Sequence, residues 1–208
     1  GYDRVLTAGL WDADGVSDVI VRDAAGVLYL RRGTTSGTFG PPEEIGRGWQ
    51  VFDLIVPVGD FDGDGNADLL GRAASDGSLW LYSGDGAGGF RSSRAVGSGW
   101  GGFDAILGVG DFTGDGAVDV VARSPRGYLY LYPGNGRGSW LRYSRIGSGW
   151  YIFDALTAVG DFDGDRRADV LGRRTDGTLW LYRGNGKGGW LSYAKVGAGW
   201  QMFSTILH

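Results

Sequence analysis

The sequence predicts an all-β fold, a β-propeller of four blades of about fifty residues, each a four-stranded antiparallel sheet. Three observations predict it. A nine-residue acidic segment recurs every 50 or 51 residues, as LWDADGVSD (10–18), DFDGDGNAD (60–68), DFTGDGAVD (111–119) and DFDGDRRAD (161–169). Short runs rich in β-branched and aromatic residues follow it at fixed offsets, parted by Gly-rich turns. No stretch carries a helical apolar period.

Each unit reads the same way in order. An apolar first strand such as FDAILGVGDF (103–112) leads into the acidic loop. The second strand is DVIVR (18–22), DLLGR (68–72), DVVAR (119–123) or DVLGR (169–173). A turn holding Ala25-Gly26, Asp76-Gly77, Arg126-Gly127 or Asp176-Gly177 comes next, and Asp-Gly between short apolar runs is a strong hairpin signal. The third strand is VLYLR, SLWLY, YLYLY or TLWLY, and a Gly-rich turn leads to a fourth such as WLRYSRIGSG (140–149). The chain is read as one domain, with repeats at about 1–50, 51–101, 102–151 and 152–200. The opening YDRVLTAG (2–9) and the closing QMFSTILH (201–208) both look like first strands. The second is therefore expected as a surplus strand at 201–208, an edge through which the chain could pair with another and oligomerise.

Composition narrows the functional classes. The 42 glycines among 208 residues are periodic, and 13% of the chain is aromatic, so the Gly content does not signal disorder. The formal net charge is −4 with no basic block, which gives nucleic acid no footprint. With no cysteine there is no disulfide, thiolate metal site or Cys nucleophile. No apolar run is long enough for a transmembrane helix, so membrane insertion is not expected. No signal peptide is visible at Gly1, and a mature or trimmed chain would look the same.

The acidic loop is a candidate calcium site. Calcium takes about six to eight oxygens, mixing carboxylates, carbonyls and water. The second copy offers Asp60, Asp62, Asp64 and Asp68 at positions 1, 3, 5 and 9, with Asn66 at position 7 to supply a backbone carbonyl. Four carboxylates this close repel one another, and a divalent cation offsets the repulsion. The third copy has Asp111, Thr113, Asp115 and Asp119, with Ala117 at position 7; its neutral hydroxyl predicts a weaker site. The fourth has Asp161, Asp163, Asp165 and Asp169, with Arg167 at position 7, but Arg166 replaces the turn glycine; its turn is either strained or free of positive φ. The first keeps Asp12, Asp14 and Asp18, with Val16 at position 7, but Leu10 has displaced the first ligand, and this copy is expected to be empty. Three to four Ca2+ ions are expected in all. An EF-hand is excluded, since no Glu stands at position 12 and no helices flank the loop. Extracellular calcium modules work at about 0.1–1 mM affinity, which suits a secreted protein.

VGDFDGDGNADLLGR (58–72), VGDFTGDGAVDVVAR (109–123), VGDFDGDRRADVLGR (159–173) and the degenerate AGLWDADGVSDVIVR (8–22) resemble the FG-GAP/VCBS repeat of integrin-type β-propellers and of many secreted bacterial proteins. The resemblance covers essentially the whole chain. It implies calcium loops joining the first and second strands of each blade. It also implies a mostly non-catalytic role, binding sugars or proteins or accompanying a secreted hydrolase. Leu10, Thr113 and Arg166 depart from the family pattern.

Other columns of the repeat carry chemistry. Trp49, Trp100, Trp150 and Trp200 close each unit in a Gly-x-Gly-Trp segment, and Tyr29, Trp80, Tyr130 and Trp180 share a third-strand position. Such rings either wedge between blades as core or form platforms for sugar C–H faces. Both readings stand for the Gly-x-Gly-Trp set, which is the candidate ligand site. Arg22, Arg72, Arg123 and Arg173 recur beside Asp3, Asp53, Asp104 and Asp154, read most simply as structural ion pairs and alternatively as an anion-binding ring.

Catalysis has little to stand on. The only histidine is His208, and no Gly-x-Ser-x-Gly elbow occurs. SDGSLW (75–80) looks like a sialidase Asp box, but its adjacent Asp and Gly read as a hairpin turn. The chain is therefore expected to be a calcium-stabilised, non-enzymatic module for a glycan ligand. One alternative is a protein-interaction or spacer domain of a larger secreted hydrolase, without a glycan site. Another is a hydrolase using metal-bound water.

Overall fold

The structure, a computed structural model, describes residues 1–203. Within them sixteen strands form four antiparallel sheets of four strands, each in simple chain order. The first blade is β1 (Tyr2–Gly9), β2 (Asp18–Asp23), β3 (Leu28–Arg31) and β4 (Glu43–Gly46). The second is β5 (Phe52–Gly59), β6 (Asp68–Ala73), β7 (Leu79–Gly84) and β8 (Phe90–Gly97). The third is β9 (Ala105–Gly110), β10 (Asp119–Arg123), β11 (Leu129–Tyr132) and β12 (Ser144–Gly147). The fourth is β13 (Phe153–Gly160), β14 (Asp169–Arg174), β15 (Leu179–Gly184) and β16 (Trp190–Gly197). The fold is all-β, a propeller of four blades. Its strands group into two compact units, Gly1–Gly101 and Gly102–His208. No helix among the described residues is long and apolar enough to cross a membrane.

The pattern of each blade follows from its side chains. Along the third strands alternate residues are buried, as Leu28 and Leu30 or Leu79 and Leu81, while their neighbours face outward. The acidic loop joins the first and second strands, and a register shift between Pro57 and Gly59 marks where the chain leaves the ladder. The turn between the second and third strands holds the segment leading to the next blade. Gly77 accepts a hydrogen bond from the Trp100 amide at 3.0 Å. A Cβ on Gly77 would lie 2.6 Å from the Gly101 nitrogen, and its φ is +69°, so both space and backbone require glycine.

Apolar residues from both sheets of a unit form its core. In the first unit Leu6, Trp11, Ile20, Leu28, Leu30 and Trp49 pack with Phe52, Ile55 and Leu69. In the second, Leu107, Phe112, Val121, Leu131 and Trp150 pack with Phe153, Leu156 and Val170.

The fourth strands are uneven, where the sequence reads four of one kind. β8 and β16 run eight residues, but β4 and β12 run four, each preceded by an isolated bridge, Gly33–Phe39 and Gly134–Trp140. Proline explains the difference. Ser83 and Arg183 pair with Ser92 and Ser192, while Pro133 stands at their position in the third blade without an N–H to donate. In the first blade Pro41-Pro42 precedes β4 directly. At the C-terminus Trp200–Met202 form a single 3-10 turn, like those at Trp49, Trp100 and Trp150. The surplus strand expected over 201–208 lies, from residue 204 on, outside the described residues.

Candidate functional site

The acidic loops are folded by their own carboxylates. Asp68, at position 9, is fully buried. Its Oδ2 accepts the Phe61 and Asp62 amides at 2.9 and 3.2 Å, and its Oδ1 accepts the Gly84 amide at the end of β7 at 3.0 Å. Asp18 and Asp119 make the same three bonds, and Asp169 accepts from Phe162 and Gly184. Position 9 thus latches the loop to the third strand. Asp60, at position 1, accepts the Gly63, Asp64 and Gly65 amides and winds the turn, and Asp111 repeats the arrangement with Gly114, Asp115 and Gly116. In all four copies the position-7 amide donates to the position-5 carboxylate, Val16 to Asp14, Asn66 to Asp64, Ala117 to Asp115 and Arg167 to Asp165.

The same bonds gather oxygens. Carboxylate oxygens of Asp60, Asp62 and Asp68 lie within 4.8 Å of one another, as do those of Asp12, Asp14 and Asp18 and those of Asp161, Asp163 and Asp169. The third loop, with Thr113 in the series, has no such carboxylate triplet among the described residues. Burial pushes the Asp68 carboxyl up to about 6, against the lowering effect of its amide donors; burial likewise raises Asp119 and Asp169. Asp62 Oδ1 is buried without a hydrogen-bond partner, so the second loop keeps an unsatisfied anionic oxygen turned away from solvent. That donor set fits a hard divalent cation.

A column that the sequence reading passed over stands opposite position 3. The residue before the glycine that closes the third strand is Arg32, Ser83, Pro133 or Arg183. Arg32 ion-pairs with Asp12, Arg183 Nε lies 2.9 Å from Asp163 Oδ2, and Ser83 Oγ donates to Asp62 Oδ2 at 2.6 Å. Where position 3 is the neutral Thr113, the column holds proline. The first and fourth loops therefore carry a cation of their own, and Arg91 reaches the second from β8, 3.3 Å from Asp62 and 2.5 Å from Asp64. The matched change of two columns within one sequence was the available signal. Arg166 shows φ +67° where Gly15, Gly65 and Gly116 stand at +87° to +90°, so the turn does need positive φ and the fourth loop holds it under strain.

The recurring Arg and Asp form ion pairs in every blade. Arg22 grips Asp3 with Nε at 3.1 Å and Nη2 at 2.9 Å, while its Nη1 donates to the Trp49 and Phe52 carbonyls at 2.9 and 2.8 Å. Arg72 pairs with Asp53, Arg123 with Asp104 and Arg173 with Asp154. Each of the four also donates to the carbonyl of its Gly-x-Gly-Trp residue. These arginines have their donors occupied by the fold, which favours the structural reading over an anion ring.

The tryptophans sit deep. Trp49, Trp100 and Trp150 are only 3–4% exposed, while Trp200 is 38% exposed. Trp49 and Trp150 form the floors of two clefts rather than free platforms, and Trp100 is buried to the same degree. In the first unit Trp49 packs on Tyr82 at 4.3 Å and on Phe90 at 5.3 Å, and in the second Trp150 repeats this with Tyr182 and Trp190 at 4.3 and 5.3 Å. Above each floor lies an open groove, of about 310 Å³ in the first unit and about 400 Å³ in the second. Their rims differ. Arg47, Arg91 and Ser93 edge the first, whereas Ser148, Leu191 and Tyr193 edge the second at the same repeat positions. Tyr193 stacks on Tyr182 with centroids 5.2 Å apart and planes 19° apart. The third-strand rings Trp80 and Trp180 are half-buried, held by Ser78 and Thr178 hydroxyls at 3.0 Å.

No curated protein sequence matches the chain. Among solved structures it is similar to a lectin from Agrocybe aegerita, described for specific recognition of non-reducing terminal N-acetylglucosamine; identity is 21%, the TM-score is 0.61, and the match covers 95% of this chain and 52% of that one. It is also similar to the BP39L lectin from Burkholderia pseudomallei, at 17% identity and TM-score 0.60, over 92% of this chain and 55% of that one. The Tc holotoxin pore of Photorhabdus luminescens matches at 16% identity and TM-score 0.55, over 94% of this chain and 9% of its own. The chain spans about half the length of the two lectins. At these identities the likeness is one of fold. The FG-GAP-like repeat pattern matches residues 11–71, 60–122 and 111–172, windows that together run through all four acidic loops, and the chain belongs to the FG-GAP-like repeat family.

Proposed function

We propose that the chain is a non-enzymatic carbohydrate-binding module of a secreted protein, fastened by calcium, with a sugar seated in the groove of the second unit. The observation that carries this reading is the groove itself. Tyr182, Trp190 and Tyr193 turn aromatic surface into an open cleft about 400 Å³ in volume, and Tyr193 is 63% exposed. Aromatic faces of this kind stack on the apolar C–H faces of sugars, and Ser148 and Ser192 supply hydroxyls at the rim for sugar oxygens. The lectin neighbours support the ligand class. Weak single sites on a repeat array gain strength by avidity.

Calcium is proposed in the second, third and fourth loops. Asp62 and its neighbours hold the strongest site, Thr113 weakens the third, and Arg183 and Arg166 burden the fourth. The first loop lacks a position-1 carboxylate and has Arg32 on Asp12, so it needs no metal. When bound, the ion supplies charge compensation and a crosslink between the first and second strands. The engagement of the loop carboxylates by backbone amides supports a structural rather than a catalytic metal.

Titration of N-acetylglucosamine oligomers into the calcium-loaded protein tests the reading. Binding is expected and should weaken about tenfold or more in Tyr193→Ala and Trp190→Ala, as for loss of a stacking platform. Binding unchanged in both variants, or none to any member of a sugar panel, would leave the protein-interaction or spacer reading. Turnover of a glycan abolished by chelator would restore the hydrolase reading.

A further inference from the structure

The two grooves share a floor and differ in charge. Trp49, Tyr82 and Phe90 line the first as Trp150, Tyr182 and Trp190 line the second. Two cations stand at the rim of the first, Arg47 and Arg91, where the same repeat positions of the second hold the neutral Ser148 and Leu191. Arg47 pairs with Glu44 at 2.5 Å, but both side chains are exposed, and such a bridge is worth little in water. The first groove therefore offers positive charge beside an aromatic floor.

Arg91 also answers to the second acidic loop. From β8 its Nη1 lies 2.5 Å from Asp64 Oδ2 and its Nη2 3.3 Å from Asp62 Oδ2. The match is a poor one. Asp64 Oδ2 is buried and accepts no hydrogen bond, so its contact with Arg91 is one of charge alone, and Asp62 Oδ1 beside it has no donor either. A calcium ion carries twice the charge of a guanidinium and takes such oxygens directly, at about 2.3–2.6 Å. Calcium and Arg91 thus compete for the same two carboxylates. The one guanidinium has two places to go, the loop and the groove.

We propose that the first groove binds an acidic saccharide, a sugar bearing a carboxylate, and that calcium in the second loop switches it on by releasing Arg91 to the rim. Half-buried Tyr82 and Phe90 take the C–H face of the sugar ring, and Arg91 and Arg47 pair with its carboxylate. Ser92 and Ser93 supply hydroxyls for the sugar oxygens. The inference rests on the reading that the loops hold calcium and the grooves take sugars, and it divides the two grooves by the charge of their ligands. The coupling is reciprocal: the acidic saccharide draws Arg91 off the loop and tightens calcium by the same factor that calcium tightens the saccharide.

Calorimetric titration at pH 7 and matched ionic strength tests this with three probes: calcium alone, a hyaluronan tetrasaccharide, which alternates N-acetylglucosamine with glucuronate, and the neutral tetramer of N-acetylglucosamine. The acidic oligomer is expected to bind about fivefold or more tightly in saturating calcium than in chelator. Arg91→Leu puts the second groove's residue into the first at an exposed position. It is expected to abolish that gain, to leave binding of the neutral tetramer unchanged, and to tighten calcium binding measured without saccharide, since the loop loses its competing cation. Arg91→Gln removes the charge but keeps a polar rim and is expected to act alike. Arg47→Ser should weaken the acidic oligomer and leave calcium affinity as it was. Calcium that binds while affinity for the acidic oligomer stays the same, or an acidic oligomer held equally by wild type and Arg91→Leu in calcium, would overturn the switch and leave the calcium reading standing. Identical calcium isotherms for wild type and Asp64→Ala would overturn both.

Discussion

Arg166 shows how much one residue of an acidic loop can decide. Its left-handed backbone at φ +67° costs a non-glycine residue about 1 kcal/mol or more. Arg166→Gly is therefore expected to stabilise the protein by about 1 kcal/mol, less the chain entropy glycine adds to the unfolded state. Urea titration checks it, and a destabilised variant would contradict the strain. Asp68 makes the loops sensitive to pH. Its carboxyl titrates at about 6 when folded against an ordinary value of 3.8, because burial outweighs its amide donors. The folded state then binds more protons than the unfolded between those values, so without metal stability falls as pH rises from about 4 to 6, by up to about 3 kcal/mol from this group. Calcium is held by ionised carboxylates and competes with protons, so it opposes the loss. The rise in melting temperature on replacing chelator with calcium should be small at pH 4.5 and large at pH 7; equal rises would contradict the linkage. The loop aspartates and the Arg–Asp pairs were legible because they repeat without much change. Arg32, Ser83, Pro133 and Arg183 were not, because their column changes character from copy to copy and meets position 3 only once the sheet has folded.

The blades are joined by chemistry that also runs across elements. Arg22 is 7% exposed, grips Asp3 on β1 with two nitrogens, and turns its third to the Trp49 and Phe52 carbonyls at the start of the second blade. One planar fork ties strand to strand and blade to blade, which lysine, a single ammonium, cannot do. Arg22→Lys should lose about 2–3 kcal/mol in denaturant unfolding, with two buried carbonyls left short of a donor. A loss below about 0.5 kcal/mol would place the pair among ordinary surface bridges. Strand order was readable from periodicity and Gly-rich turns, but strand length was not. β4 and β12 are short because of Pro41, Pro42 and Pro133, whose lost donors matter only once the partner strand is known. The grooves were legible in part. Trp49 and Trp150 belong to them as floors, while the rims come from fourth-strand residues whose columns hold Arg91 in one blade and Leu191 in another.

For the molecule as a whole, the acidic loops set the charge that any ligand meets. The formal net charge is −4, and each calcium ion adds two, so two ions cancel it and three take it to +2. Arginines near the loops would then face a metal in place of bare carboxylates. Arg91, now on Asp62 and Asp64, also edges the groove of the first unit, so metal in the second loop leaves that rim more positive. Electrophoretic mobility at pH 7 should fall through zero and change sign as calcium is added, and Asp64→Ala should delay the reversal more than Asp12→Ala. The two variants remove the same charge, so the difference between them reports the metal they hold. The second loop has a buried carboxylate oxygen waiting at Asp62, while the first has an arginine on its central aspartate. Equal mobilities for the two variants at every calcium concentration would mean that the loops bind alike or not at all, and the inequality of the four repeats would then have to be sought in packing rather than in metal.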